Sequence, residues 1–219
     1  MTIEIDADAF VFDCDGVILD SNSLKSNAFA KALEGYDSKF VAEFVDWHKA
    51  TGGVSRYEKF RRFFTQYVGV PDPEGQTIQA IERFAAIVFE ELVGCEYING
   101  FEGFVGQVSA RQYSCSVNTG GDEAEVIRVL ETRGSAHHFG RILGSPNTKR
   151  QNMVQLADEG RLGHNGIYLG DSRLDYDLAC EFGLKFIFVQ AKSDWEDAMV
   201  TLASTDAIVT NDLAQLILR

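Results

Sequence analysis

The sequence predicts an α/β protein, a doubly wound parallel sheet with an inserted α-helical cap. Three observations support this. Short, continuous apolar runs recur along most of the chain, as expected of strands buried on both faces. Helical patterns and short loops separate them, and alternation of that kind implies parallel strands joined by crossovers. One long stretch near the N-terminus breaks the alternation and has no convincing strand.

The first apolar run lies in residues 8–13, with the sequence Ala-Phe-Val-Phe-Asp at its end. Further strands are expected at Tyr113 to Val117, Arg141 to Leu143, Gly166 to Leu169, Lys185 to Val189 and Ala207 to Val209. Between them, helices are expected at Asp122 to Thr132, Pro146 to Ala157, Arg173 to Phe182 and Asp194 to Leu202. The first of these carries Val126, Val129 and Leu130 at helical spacing. The exceptional stretch reads as four amphipathic helices: Ser23 to Leu33, Ser38 to Lys49, Ser55 to Tyr67 and Gln76 to Val93. Ser55 with Glu58 three residues on is a capping-box signature, and Pro71 and Pro73 separate the third helix from the fourth. Residues 1–20 and 98–219 are therefore expected to form the core. Residues 21–97 form a cap over the strand ends, hinged near Ser21 and near Ile98-Asn99-Gly100.

Composition limits the function. The chain has 219 residues, 45% hydrophobic and 24% charged, which suits one folded α/β unit with an insertion. Its formal net charge of -13 repels nucleic acid and anionic lipid, so neither is expected as a partner. An anionic substrate would need a metal or a few placed cations to make its site locally positive. Cys14, Cys95, Cys115 and Cys180 form no CxxC pair and are expected to be reduced. The N-terminus lacks a basic and an apolar targeting region, and no apolar stretch approaches a membrane span. A cytoplasmic protein, monomeric or weakly dimeric, is expected.

Four motifs carry chemistry. Phe12-Asp13-Cys14-Asp15-Gly16 puts two carboxylates at the end of a buried strand, where open α/β sheets bind ligands. Like charges so close raise each other's pKa unless a cation neutralises them, and Gly16 allows a sharp turn directly afterwards. Gly170-Asp171-Ser172-Arg173-Leu174-Asp175 is a second acidic site at a strand end, its carboxylates four residues apart. The two acidic sites together suit a hard cation such as Mg²⁺. Lys149 falls in the first turn of a helix expected to be capped by Ser145 with Pro146 at its first position. The helix dipole disfavours a cation there, which suggests an anionic neighbour. Thr119, in Asn118-Thr119-Gly120-Gly121, offers a hydroxyl and free backbone N–H groups at a glycine-rich strand end.

In this order the motifs resemble those of the haloacid dehalogenase superfamily, over a span from Phe10 to Val189. The inserted helices resemble the cap of its phosphoglycolate phosphatase and β-phosphoglucomutase subfamily. The resemblance implies a Mg²⁺-dependent phosphoric monoester hydrolase acting on a small phosphorylated metabolite. Asp13 would be the nucleophile that becomes aspartyl-phosphate, and Asp15 the general acid and then base. The Asp13 side chain, the Asp15 backbone carbonyl and the Asp171 side chain would hold Mg²⁺, with Asp175 supporting the metal shell. Thr119 and Lys149 would bind the phosphoryl group, with Gly16, Asn118 and Gly120 around it. Gly53-Val54-Ser55-Arg56 resembles a cap segment of the mutase-like group, which would bring Arg56 to an anionic part of the substrate. An ordinary exposed arginine is the competing reading.

His48, His137, His138 and His164 form no metal-binding spacing and are assigned to surface or packing. Three other functions compete. A phosphomutase would carry a histidine where this chain has Lys25, which favours hydrolysis. A dehalogenase in the strict sense uses no metal and generally lacks the second aspartate, here Asp15. A phospho-accepting receiver shares strand-end carboxylates, a hydroxyl and a lysine but is much shorter and lacks the Asp-Cys-Asp-Gly turn and the inserted cap, and a catalytically silent binding protein would not need the complete set of side chains found here.

Overall fold

The computed structural model describes residues 2–219. Its centre is a six-stranded sheet in which every neighbouring pair runs parallel. In chain order its strands are β2 (Ala9–Phe12), β3 (Ser114–Asp122), β4 (Arg141–Ser145), β5 (Gly166–Gly170), β6 (Lys185–Val189) and β7 (Ile208–Thr210). They lie side by side as β4-β3-β2-β5-β6-β7. A separate two-stranded parallel ladder pairs β1 (Ile3–Ile5) with β8 (Leu216–Leu218).

Strand β2 is central and buried on both sides, which is why it is wholly apolar. Phe12 sits opposite Val117 on one neighbour and Leu169 on the other. Side chains alternate across the sheet. Phe10 and Phe12 face one layer, with Phe104 and Val126. Val11 faces the other, with Met153, Leu156 and Leu178. These partners lie on α5 (Phe101–Ala110), α6 (Glu123–Thr132), α7 (Lys149–Asp158) and α8 (Arg173–Glu181). The chain winds outward from β2 to β3 and β4, then returns to β5 on the opposite side. That reversal opens a crevice beyond the carboxyl end of β2.

The cap is built from α1 (Asn22–Ala32), α2 (Ser38–Ala50), α3 (Arg56–Arg62) and α4 (Glu74–Gly94). Its core is aromatic: Phe29, Phe44, Phe60, Phe63, Phe64 and Phe84 are almost completely buried. Phe29 and Phe84 meet at 4.4 Å between ring centroids, and Phe44 and Phe63 meet edge-on at 5.2 Å. Such pairs add about 0.5–1.5 kcal/mol each beyond area burial, so the cap holds its own shape. Its two links to the core run side by side. The Asp20 N–H donates to the Glu96 carbonyl and the Ile98 N–H to the Ile18 carbonyl, both at 2.9 Å.

Several elements differ from the sequence reading. The helix expected from Pro146 begins at Lys149. Ser145 belongs to β4 and its hydroxyl donates to the Gly121 carbonyl, while Thr148 and Gln151 form the capping box. Strand β3 runs past Val117 to Asp122, because Asn118 and Asp122 remain paired with β4 across an irregularity. The helix expected from Ser55 to Tyr67 becomes a π-helical turn over Phe63–Val68. Only Ala198–Leu202 (α9) of the Asp194 to Leu202 segment is helical. The ladder of β1 with β8, and α5, had no counterpart in the sequence reading. All four cysteines are free. No helix among the described residues is long and apolar enough to cross a membrane.

Candidate active site

The carboxyl ends of β2, β3 and β5 and the start of α7 converge under the cap. Asp13 follows β2 directly, and its backbone N–H is tied to the Leu169 carbonyl at 2.9 Å. Asp171 follows β5. Carboxylate oxygens of Asp13, Asp171 and Asp175 lie within 4.8 Å of one another, all buried. Lys149 enters from α7 and lies 2.8 Å from Asp13 Oδ1 and 2.7 Å from Asp175 Oδ1.

Asp175 is committed to this arrangement. Its Oδ1 also accepts from the Tyr168 hydroxyl at 3.0 Å, and its Oδ2 accepts from the Ser172 hydroxyl at 2.6 Å and N–H at 3.2 Å. Ser172 caps α8 and Asp175 closes its capping box. One carboxylate thus starts the helix and holds Lys149 in place. Asp171 has fewer partners: Asn22 on the first turn of the cap donates to its Oδ2 at 2.6 Å. Gly16, at φ 73°, passes so close that a Cβ would stand 2.2 Å from that oxygen. Any other residue at 16 would intrude into the carboxylate cluster.

Burial pushes the Asp13 carboxyl up to about 7; Lys149 opposes this, and Asp175 and Asp15 push it further. Asp171 is raised well above the carboxylate range by burial and by Asp13 and Asp175. Burial alone would lower Lys149, but Asp13 and Asp175 hold it well above the usual lysine value. The cluster is short of positive charge, and one lysine does not balance three carboxylates.

Asp15 points to the cap side. Lys25 on α1 donates to its Oδ2 at 2.6 Å and Ser21 to its Oδ1 at 2.5 Å. Burial raises Asp15, yet Lys25 and Ser21 outweigh it and hold the carboxyl below its ordinary value. Thr119 is fully buried and its hydroxyl oxygen accepts from the Gly121 N–H at 3.0 Å. Its own O–H remains available to donate. Asn118, expected beside the phosphate, turns elsewhere: its amide donates to the Lys149 carbonyl at 3.0 Å and accepts from Asn152. It positions α7 rather than facing the cavity.

The cap closes directly on this cluster. Gly53 lies against Gly120 so tightly that a Cβ on Gly120 would be 2.3 Å from the Gly53 carbonyl oxygen. Arg56 lies under the cap rim, stacked 4.6 Å from the Phe84 ring. Its guanidinium makes a bidentate ion pair with Glu125 on α6, with one bond at 2.9 Å. Tyr57 donates to Asp122 at 2.8 Å beside it. Arg56 therefore joins cap to core in this state. Glu125→Ala should speed amide exchange over residues 52–58 by about tenfold or more, because a bidentate charged pair of this kind holds about 1.5–3 kcal/mol. Unchanged exchange, measured by mass spectrometry, would show that the pair does not hold the cap.

The cavity between cap and core is about 80 Å³, room for roughly half a dozen water-sized groups. Asp13, Asp15, Asp171 and Gly120 line its floor, and Lys25, Phe29, His48, Arg56 and Lys59 its cap wall. His48 takes the packing role, on the cap wall of the cavity. It packs 4.4 Å from the Phe29 ring and its Nδ1 lies 2.6 Å from Lys59 Nζ. Burial and the neighbouring lysines Lys59 and Lys25 lower it to about 2, so it is neutral. Sequence spacing gave no signal for Asn22, Lys25, His48 or Lys59.

Residues 10–189 match the family model described as haloacid dehalogenase-like hydrolase. No curated protein matches the sequence. Among solved structures, the chain is similar to a predicted phosphoglycolate phosphatase from Haemophilus somnus, at 18% identity and TM-score 0.73 over 95% of both chains. It is also similar to β-phosphoglucomutase from Clostridium difficile, at 18% identity and TM-score 0.74 over 96% of this chain and 93% of that one. A third is CbbY from Rhodobacter sphaeroides in a complex with xylulose bisphosphate, at 20% identity and TM-score 0.71 over 97% of both chains. At these identities the likeness concerns the fold. With the family match spanning most of the sequence, the chain belongs to the haloacid dehalogenase-like hydrolases.

Proposed function

We propose that the protein is a Mg²⁺-dependent phosphatase that hydrolyses a small phosphate monoester through an aspartyl-phosphate on Asp13. The observation that carries this reading is the meeting of Asp13, Asp171 and Asp175 from two strand ends, with Lys149 bound to two of them. A buried, charge-deficient set of carboxylate oxygens fits a hard divalent cation. Asp13 and Asp171, with the Asp15 backbone carbonyl, would hold it, and Asp175 would keep Lys149 and the shell in place. When bound, Mg²⁺ supplies positive charge for the phosphoryl oxygens.

The chain's own residues account for the rest. An Asp13 oxygen attacks phosphorus in line, and the ester P–O bond breaks. Asp15, whose pairing with Lys25 and Ser21 favours its ionised form in this state, would take up a proton from solvent as substrate binds and give it to the leaving alcohol. Its carboxylate then takes a proton from water, whose oxygen attacks the phosphorus of the aspartyl-phosphate. Inorganic phosphate leaves and Asp13 is restored. Lys149, the Thr119 hydroxyl and the Gly120 N–H would position the phosphoryl oxygens, which is most of what phosphoryl transfer requires. The closed cap excludes other water. The mutase reading loses support at Lys25, which pairs with Asp15 in place of a histidine.

Para-nitrophenyl phosphate should be hydrolysed with Mg²⁺, and at least about 100-fold more slowly in chelator. A second readout concerns stability. Asp13 and Asp171 bind protons more tightly folded than unfolded, so their uncompensated charge costs stability increasingly as pH rises toward about 7. Mg²⁺ should therefore raise the melting temperature more at about pH 7.5 than at about pH 5. Equal shifts at both would argue against binding to these carboxylates.

A further inference from the structure

The cap wall of the cavity carries three buried cations, and they are not equally balanced. Lys25 pairs with Asp15 and Arg56 with Glu125. Lys59 is 2% exposed, yet no carboxylate among the described residues lies within 4.0 Å of its ammonium. Its partners are His48 Nδ1 at 2.6 Å and the His48 carbonyl at 3.3 Å, with the Phe29 ring centroid 5.8 Å away. A lysine is almost never so buried without a counter-charge, and taking an ammonium from water costs several kcal/mol.

The charged groups around Lys59 explain why it stays short of one. Lys25 from α1 and Lys149 from α7 repel its charge; Asp15 and Glu58 attract it but are already paired with Lys25 or set outward. Asp194, beyond β6, also lines the cavity; burial raises its carboxyl, against the pull of Lys49 and Lys59, and it lies outside ion-pair distance of the Lys59 ammonium. Arg56 lies one turn away and is neutralised by Glu125. His48 is neutral and brings no negative charge to Lys59; its Nδ1 accepts from the ammonium. Burial first, then Lys25, brings Lys59 down to about 7. Lys59 lines the same cavity as Asp13, so a counter-charge could reach it from there.

Resting on the phosphatase reading above, we propose that Lys59 is the specificity-determining residue of the cap: it receives a second anionic group, carboxylate or phosphate, on the alcohol part of the ester. The group arrives together with a proton where Lys59 is neutral. The unpaired lysine is a cost to folding, so its removal should not destabilise the protein, which separates this role from a structural one.

The test compares phosphoglycolate, ethylene glycol bisphosphate and ethyl phosphate, three two-carbon esters differing in the far group. The wild type should favour one or both of the esters with an anionic tail over ethyl phosphate by about 10- to 100-fold in kcat/KM, the worth of one charged hydrogen bond. Which of the two wins identifies the group. Lys59→Met should erase the preference, lowering turnover of the favoured ester by about 10- to 100-fold relative to ethyl phosphate, and melt no lower than the wild type. The wild-type preference should also fall as pH rises through about 7; taking the ratio of two esters cancels ionisations they share, including those of the carboxylate cluster. That last measurement needs no variant, so a poorly folding Lys59→Met would not leave the question open. Equal handling of all three esters, or equal loss of all three in Lys59→Met, overturns the proposal while leaving the phosphatase standing. If no ester is hydrolysed, the phosphatase reading falls. Calorimetric binding of phosphoglycolate and ethyl phosphate to wild type and Lys59→Met then decides the proposal on the same selectivity.

Discussion

Asp13→Asn should reduce turnover of any ester by about 10⁴-fold or more while the protein stays folded. Loss of a covalent nucleophile removes the reaction path, and what remains is the catalysis from binding and positioning alone. The structural argument for an intact fold is specific. Asp13 already sits under strain from burial and from Asp175 and Asp15, strongly enough to be held near 7. An amide of the same shape removes that repulsion. It gives up the ion pair with Lys149, but Lys149 keeps Asp175 at 2.7 Å. The melting temperature should move by only a few degrees either way, on the order of 1 kcal/mol. Turnover near wild type in Asp13→Asn, measured as released phosphate, would remove Asp13 from the role given to it.

Lys149→Met should be damaging in both respects. Its ammonium has no exposed surface and separates Asp13 from Asp175. Methionine has similar length but leaves both carboxylates buried and facing each other. Breaking a buried pair by removing one partner costs about 3–5 kcal/mol, or about 10 °C in melting temperature for a chain of this size. Turnover should fall by about 10²- to 10³-fold, comparable to losing one donor to developing charge. Mg²⁺ should recover part of the stability and little of the activity, because it balances charge without placing a donor at the phosphoryl oxygens. A variant as stable as the wild type would mean that the site already carries enough positive charge.

The parts of this molecule that sequence patterns reveal are those set by local physics. An apolar strand ending in Asp13 and Asp15, and another ending in Asp171, are readable because a doubly buried strand must be apolar until it reaches the ligand. Asp175 and Ser172 are readable as a helix start, and Lys149 as a cation where the dipole discourages one. Its helix starts later than the local pattern predicts, since Ser145 is used by β4 and Thr148 makes the cap instead. The cap wall was opaque for a different reason. Lys25, His48 and Lys59 come from three helices, and their meeting depends on how aromatic side chains such as Phe29 and Phe60 pack. No spacing within one helix encodes that. Arg56 shows the limit of resemblance: its pairing with Glu125 spans 69 residues and was invisible in the local motif. Short elements failed too, since three residues such as Ile3–Ile5 show no usable periodicity.

The paired strands of chain that carry the cap away from the core and back suggest how such proteins diversify. Because departure and return are bonded to each other at Asp20 with Glu96 and at Ile18 with Ile98, everything between them behaves as a cassette mounted on a single short stem. Exchanging residues 22–95 for another helical module would leave Asp13, Lys149, Asp171 and Asp175 untouched. New chemistry of recognition could then be sampled over an unchanged reaction centre, at the cost of losing Asn22 and Lys25 as partners of Asp171 and Asp15.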